Sequence, residues 1–263
     1  MSGITRIEAY EHLQNNTRYT LITGGRGSGK SFAVCLFLVW IISEYQGHKF
    51  LFTRYTMTAA RISIIPEFEE KINLLGLQDD FQILNNEIIH KKTGSQILFR
   101  GIKTSSGNQT ANLKSLQGVT GWILDEAEEL TDESIFDTIN LSVRSQYKNR
   151  IFLILNPTTK EHWIYKRFIE NGKQDNTTYI HTDYRDNIEN LPKSFLDEIE
   201  QIKHNNPKKY NHVILGGWLE KAEGVIFENW IEGEFDESLP YAFGQDFGFY
   251  PDPTTLVKVA VGS

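Results

Sequence analysis

Apolar positions along the chain fall into short blocks separated by polar turns. Consecutive β-branched, aromatic and aliphatic residues run through 19–23, 49–55, 122–126 and 150–155, the pattern of strands buried on both faces. Between them lie stretches long enough for helices at 32–43, 58–75 and 130–143. Pro66 interrupts the second and predicts a kink or a break there. Alternation of strand and helix predicts an α/β fold with a mainly parallel central sheet flanked by helices. Ahead of the first strand, Ile4, Ile7, Tyr10 and Leu13 recur at helical spacing and predict a short amphipathic helix over 4–16.

From 81 to 102 the period shortens. Strand candidates at 81–84, 87–90 and 96–99 are separated by Asn85-Asn86 and a Lys-Thr-Gly-Ser turn, which predicts an antiparallel hairpin inserted into the sheet or lying at its edge. Residues 103–112 lack hydrophobic periodicity and read as a mobile loop of functional length. Later stretches predict helices at 162–171, 192–203 and 207–215 and a strand at 178–182. The acidic, glycine-broken stretch 220–240 reads as a linker. A new strand opens at Tyr241. The expected division is therefore 1–219, a linker at 220–240, and the start of a second domain at 241–263.

The turn between the first strand and the first long helix carries the most specific chemistry. Gly24-Gly25-Arg26-Gly27-Ser28-Gly29-Lys30-Ser31 has the Gly-x-x-x-x-Gly-Lys-Ser spacing of a P-loop, with a buried strand before it and a helix after it. Glycines let the backbone approach a polyphosphate, so that successive N–H groups and the helix N-terminus face the anion. Gly25, Gly27, Ser28 and Gly29 would cradle ATP, Lys30 would reach its β and γ phosphates, and Ser31 would ligand magnesium. The strand at 122–126 ends in Asp125-Glu126. In a P-loop enzyme the first acid holds magnesium through its water shell and the second polarises the attacking water. Glu128 and Glu129 read as turn or helix-capping acids. The strand at 150–155 ends in Asn156-Pro157-Thr158-Thr159, where Asn156, Thr158 or Thr159 could sense a γ phosphate, or where an ordinary Asn-Pro turn could stand. Gln14, Asn15, Arg18 and Tyr19 are candidates for contacts to the adenine base, against a solvated turn.

Composition narrows the setting. In 263 residues the net charge is −7, which argues against coating nucleic acid by overall basicity. Any DNA contact needs a local surface, for which Arg144, Lys148, Arg150, Lys160, Lys166 and Arg167 are candidates. The single cysteine, Cys35, leaves no disulfide framework and suggests a reducing, intracellular setting. The apolar run at 36–42 is too short to span a bilayer, the N-terminus lacks a signal-peptide pattern, and no membrane role is expected.

Taken together, the P-loop with its internal Arg26, the strand ending in Asp125-Glu126, and Leu155-Asn156-Pro157-Thr158 resemble the large terminase subunit of tailed bacteriophages. The segment Gly244-Gln245-Asp246-Phe247-Gly248 looks like the opening strand of that family's RNase H-like nuclease domain. The resemblance implies an ATP-hydrolysing motor that drives double-stranded DNA into a procapsid, working as a homo-oligomeric ring with portal protein and small terminase subunit in the cytoplasm of an infected host. A helicase-like or remodelling ATPase, or an ATP-controlled assembly switch, are the alternatives. The resemblance further implies Arg26 on the γ phosphate, Glu126 as catalytic carboxylate, and Asn156 in the motif coupling hydrolysis to motion. It implies a trans-acting cation from a neighbouring subunit, with Lys114 or Arg100 in the relevant region. It makes Asp246 the first metal-binding acid of a nuclease site whose other acids lie outside this sequence, so no DNA cleavage is expected of it.

Overall fold

The computed structural model describes residues 5–56, 63–103, 118–145, 149–220, 233–248 and 254–260. The chain divides into two compact units, Met1–Ala222 and Glu223–Ser263. The larger is built on eight strands: β1 (Tyr19–Gly24), β2 (Lys49–Thr56), β3 (Phe81–Leu84), β4 (Glu87–His90), β5 (Gln96–Lys103), β6 (Gly121–Asp125), β7 (Arg150–Leu155) and β8 (Thr177–Thr182). Their order across the sheet is β3-β4-β5-β2-β6-β7-β1-β8. From β5 to β8 every neighbouring pair is parallel, whereas β3-β4 and β4-β5 are antiparallel. The expected hairpin thus lies at the sheet edge. Its third strand is longer than the pattern suggested and joins the main sheet beside β2.

Four helices of eight residues or more accompany the sheet among the described residues: α1 (Lys30–Glu44), α2 (Ile65–Leu74), α3 (Glu133–Asn140) and α4 (Lys193–Asn205). Pro66 falls in the first turn of α2, where a π turn at Ser63-Ile64 passes directly into the α-helix, so the helical path changes its winding at the expected proline. Helix α3 is shorter than the predicted 130–143 because Asp132 caps it, its carboxylate accepting from the Ser134 N–H at 2.9 Å. The stretch predicted as helix at 162–171 is a turn of α-helix, Trp163–Tyr165, running into a wider π turn, Lys166–Glu170.

Period-2 alternation along the buried strands feeds two cores. On one face Ile123 and Phe152 pack with Phe50, Phe52 and Phe99 under α1 and α2, against Val34, Leu38 and Phe68. On the other, Trp122, Leu124, Ile151 and Leu153 pack with Phe136 and Ile139 of α3 and with Trp163 and Phe168. Each such side chain contributes about 1.5–3 kcal/mol when fully buried. Their common effect is to hold the C-terminal ends of β1, β2, β6 and β7 along one edge of the sheet.

The smaller unit shows an antiparallel pair, β9 (Tyr241–Asp246) and β10 (Thr255–Ala260). The sequence pattern predicted the first of these strands and not the second. Most of the predicted linker, the loop at 104–112, Lys114 and Lys148 fall outside the described residues.

Candidate phosphate-binding site

Strand β1 ends at Gly24 and α1 begins at Lys30, so the glycine-rich turn spans the gap between a buried strand and a helix N-terminus. Gly27 and Gly29 take φ of +81° and +76°, the left-handed region in which a side chain would be strained. Gly25 is required for a different reason. A Cβ there would lie 1.7 Å from the Ile214 carbonyl oxygen. The loop is held from outside by the Arg26 N–H donating to the Val213 carbonyl at 2.9 Å and by Asn187 Nδ2 donating to the Gly27 carbonyl at 2.8 Å.

A cleft of about 280 Å³ opens along this loop, lined by residues 25–32, Arg54, Glu67, Asp125, Glu126 and residues 154–156. Three separate strands therefore bring Lys30, Asp125, Glu126 and Asn156 to one place. Of the three candidates after β7, Asn156 lines the cleft and Thr158 and Thr159 are not among its lining residues; their backbone meets Leu219, whose N–H donates to the Thr158 carbonyl at 2.8 Å. Arg26 lies exposed at the cleft wall.

Lys30 is buried, and its ammonium donates to the carbonyls of Gly24 (2.9 Å) and Gly25 (3.0 Å), to Ser28 Oγ (3.2 Å) and to Asn156 Oδ1 (3.0 Å). Burial pulls its pKa down to about 8, against the attraction of Glu128 and Asp125. Asp125 is 1% exposed at the end of β6. Burial raises its pKa and Arg54 opposes that rise. Glu126 follows at φ +52°, the one non-glycine residue with positive φ among the described residues. Such a conformation costs on the order of 1 kcal/mol and persists where its surroundings enforce it.

Ser31, Asp125 and Glu126 offer hard oxygen donors on one cleft, the donor set that magnesium prefers. These residues fit the ion that the sequence pattern implies.

Two participants were not picked out from the sequence. Arg54, at the C-terminal end of β2, donates from Nε to Asp125 Oδ2 at 2.7 Å, lies 3.2 Å through Nη2 from Glu126 Oε1, and donates from Nη1 to Ser63 Oγ at 2.9 Å. Burial alone would lower its pKa, but Asp125 and Glu126 together hold it above the ordinary value. Its position at a strand end on the ligand-bearing edge of a parallel sheet was the available signal. Glu128 is not a solvated capping acid. Its Oε1 accepts from both the backbone N–H (3.2 Å) and Nδ2 (3.0 Å) of Asn156, and its Oε2 is buried without a hydrogen bond. Burial raises its pKa.

The base-contact candidates are displaced. Arg18 and Tyr19 stand at the opposite, N-terminal end of β1, where Arg18 donates to the carbonyls of Asn140, Val143 and Asn149 and Tyr19 receives Asn140 Nδ2. Gln14 and Asn15 are exposed where the 3₁₀ helix Glu8–Gln14 ends. The N-terminal segment meets the P-loop instead through Tyr10, whose hydroxyl donates to the Ser28 carbonyl at 2.9 Å. The basic candidates do not form one surface. Arg150 is stacked on Phe37 and Phe152 with its pKa pulled down to about 10 by burial, Arg167 pairs with Glu133 and Asp137, and Lys160 pairs with Glu220. Lys166 and Arg144 are exposed. Arg100 donates to the carbonyls of Phe99 (2.7 Å) and Asn86 (3.4 Å). Asp246 is exposed at the end of β9, and no cluster of three or more metal-ligating side chains occurs among the described residues.

A P-loop between strand and helix, with an acid pair two strands away across a parallel sheet, defines a P-loop NTPase fold. Residues 16–217 match the model of a family described as phage terminase large subunit, and the chain belongs to that family. It is 28% identical over 272 residues to the large terminase subunit of Bacillus phage SPP1, covering 96% of this chain and 61% of the relative. The chain thus spans less than two thirds of the length of that relative. Among solved structures it is similar to the large terminase of a thermophilic bacteriophage, with TM-score 0.66 and 17% identity, covering 97% of this chain and 64% of the other. Structures of that protein with ADP and with ATP-γ-S align likewise. The large terminase ATPase domain of Thermus phage P74-26 matches with TM-score 0.59 and 17% identity, over 80% of this chain and 92% of that domain. No helix among the described residues is long and apolar enough to cross a membrane.

Proposed function

We propose that this chain hydrolyses ATP and thereby drives double-stranded DNA into a procapsid, as the motor part of a terminase large subunit. The observation that carries the reading is the convergence of Lys30, Asp125, Glu126 and Asn156 on the single cleft of the P-loop. Backbone N–H groups of 27–30, at the N-terminus of α1, receive the phosphates, the Arg26 N–H being bonded to Val213. Lys30 trades carbonyl partners for phosphate oxygens, and Arg26 reaches the γ phosphate from the cleft wall. Glu126 orients the attacking water in line with the bond to the leaving phosphate and takes up its proton. Magnesium, held by Ser31 and Asp125, would supply the remaining charge neutralisation. Asn156, bonded to both Lys30 and Glu128, is placed to pass a change at the phosphates to the segment after β7. DNA, the portal and a small terminase subunit are the proposed partners in a homo-oligomeric ring at the procapsid, with Lys114 or Arg100 as the trans-acting cation. A nuclease role for Asp246 awaits acids beyond this sequence.

Steady-state ATP hydrolysis with magnesium, followed against protein concentration and with or without duplex DNA, tests the reading. Glu126→Gln is expected to keep nucleotide binding and lose at least about 100-fold in turnover. Undiminished hydrolysis in that variant removes Glu126 from the mechanism. A rate per molecule that rises with concentration supports completion of the site by a neighbour.

A further inference from the structure

We infer that Arg54 is the terminal-phosphate sensor of this site: its guanidinium exchanges the Asp125–Glu126 pair for the γ phosphate of a bound nucleoside triphosphate. The inference rests on the P-loop reading above and deepens it.

Three observations carry it. Arg54 lines the same cleft as the P-loop yet belongs to neither the loop nor its helix. Its guanidinium bridges both acids, through Nε to Asp125 at 2.7 Å and Nη2 to Glu126 at 3.2 Å. Both acids line the same cleft as Lys30 and the loop.

A triphosphate brings additional negative charge against two carboxylates in a half-enclosed cleft. A planar fork already aimed at oxygen anions can turn to a phosphate oxygen with little rearrangement, because carboxylate and phosphate present the same paired acceptor geometry. A diphosphate lacks the γ group that this exchange requires, so Arg54 keeps its pair with the acids. The exchange also releases Glu126 from its ion pair when a γ phosphate is present, so the carboxylate becomes available to water only in the loaded site. Arg54 therefore distinguishes tri- from diphosphate, a task distinct from the phosphate cradling of Lys30.

The test is calorimetric titration of the full chain with ADP and with ATP-γ-S, in magnesium, for the parent protein, Arg54→Gln and Arg54→Lys. Lysine keeps the charge but cannot span two acids. The expected result is a loss of about tenfold or more in ATP-γ-S affinity in both variants, with ADP affinity changed by less than about threefold. Equal losses for the two nucleotides, or no loss, overturn the inference while leaving the P-loop reading in place. Parent protein that binds neither nucleotide overturns both. Should Arg54→Gln fail to fold with Asp125 buried beside it, the ratio of the two affinities in Arg54→Lys decides the matter alone.

Discussion

Replacing Glu128 by alanine separates a built site from a solvated turn. In the structure Glu128 Oε1 takes two hydrogen bonds from Asn156, one from the backbone N–H at 3.2 Å and one from Nδ2 at 3.0 Å. Alanine leaves both donors without their acceptor. A buried donor without a partner costs about 1–3 kcal/mol, and the exposure of Asn156 lets water recover part of this, so the lower end applies to each. Removing the carboxyl also relieves its own burial, whose cost shows in the raised pKa and in the bare Oε2. That relief offsets about 1 kcal/mol. Lost packing under the side chain adds a similar amount in the other direction. The net expectation is a destabilisation of about 1–3 kcal/mol. At roughly 2–4 °C per kcal/mol for a unit of this size, the melting temperature falls by about 2–12 °C. Urea unfolding followed by tryptophan fluorescence reads it, since Trp40, Trp122, Trp163 and Trp218 all belong to the larger unit. Glu128→Gln, which keeps an acceptor oxygen, is expected to recover part of the loss. A Glu128→Ala midpoint within about 0.5 kcal/mol of the parent, the range of an ordinary surface change, would refute the reasoning.

Two further outcomes follow from the same geometry. Gly25→Ala forces a Cβ to within 1.7 Å of the Ile214 carbonyl oxygen, so it is expected to cost about 3 kcal/mol or more and to weaken ADP binding; a melting curve and titration equal to the parent's would contradict the packing of 213–216 on the loop. His162 donates from Nε2 to the Glu128 carbonyl and accepts the Ile164 N–H at Nδ1, and burial lowers its pKa below 6.5. The unfolded chain therefore binds its proton first as pH falls, so this contribution is complete above pH 6.5 and is lost as pH drops through the folded value. Urea midpoints at pH 7.5, 6.5 and 5.5 should show a steeper acid loss in the parent than in His162→Gln; parallel profiles would count against it.

Those features that sequence reasoning recovered are the ones encoded in contiguous residues. β1, the glycine-rich turn and α1 follow each other without a break, so strand, turn chemistry and helix could be read together. Strands β6 and β7 are near-continuous apolar runs, which only a sheet covered on both faces requires. Long-range pairings were not readable. Arg54 and Asp125 are 71 positions apart and meet through the β2-β6 register, and the one local mark on Arg54 is its place at a strand end, which does not name its partner. Glu128 sits in an acidic run, where composition suggests solvent, and its burial depends on Asn156 arriving from β7. The base-contact candidates failed for the converse reason. Closeness in sequence to the P-loop does not survive a strand: β1 carries Arg18 and Tyr19 to the far edge of the sheet, while Tyr10, earlier in the chain, folds back onto Ser28. Arg150 read as surface charge, yet its stem and guanidinium cover two phenylalanines, as long cationic side chains can.

The charges along the cleft explain why its two ends must behave differently. Its walls carry three cations, Arg26, Lys30 and Arg54, and three carboxylates, Glu67, Asp125 and Glu126, so no overall positive field draws a polyphosphate in. Attraction comes instead from the loop, where backbone N–H groups, the start of α1 and Lys30 are gathered around Gly25 to Ser31. At the other end the acids repel phosphate, and Glu67 adds to this even though Lys71, 3.8 Å from it, shares its charge. Burial raises the pKa of both Glu67 and Asp125, a sign that the fold holds negative charge there against its own preference. An anion long enough to reach that end is tolerated only with a cation set between it and the carboxylates. Arg54 already pairs with both acids, and magnesium is suited to the oxygens beside it. On the proposed reading the cleft therefore binds the loop-side phosphates by shape and dipole, and makes contact with the last one conditional on how the acid pair is neutralised.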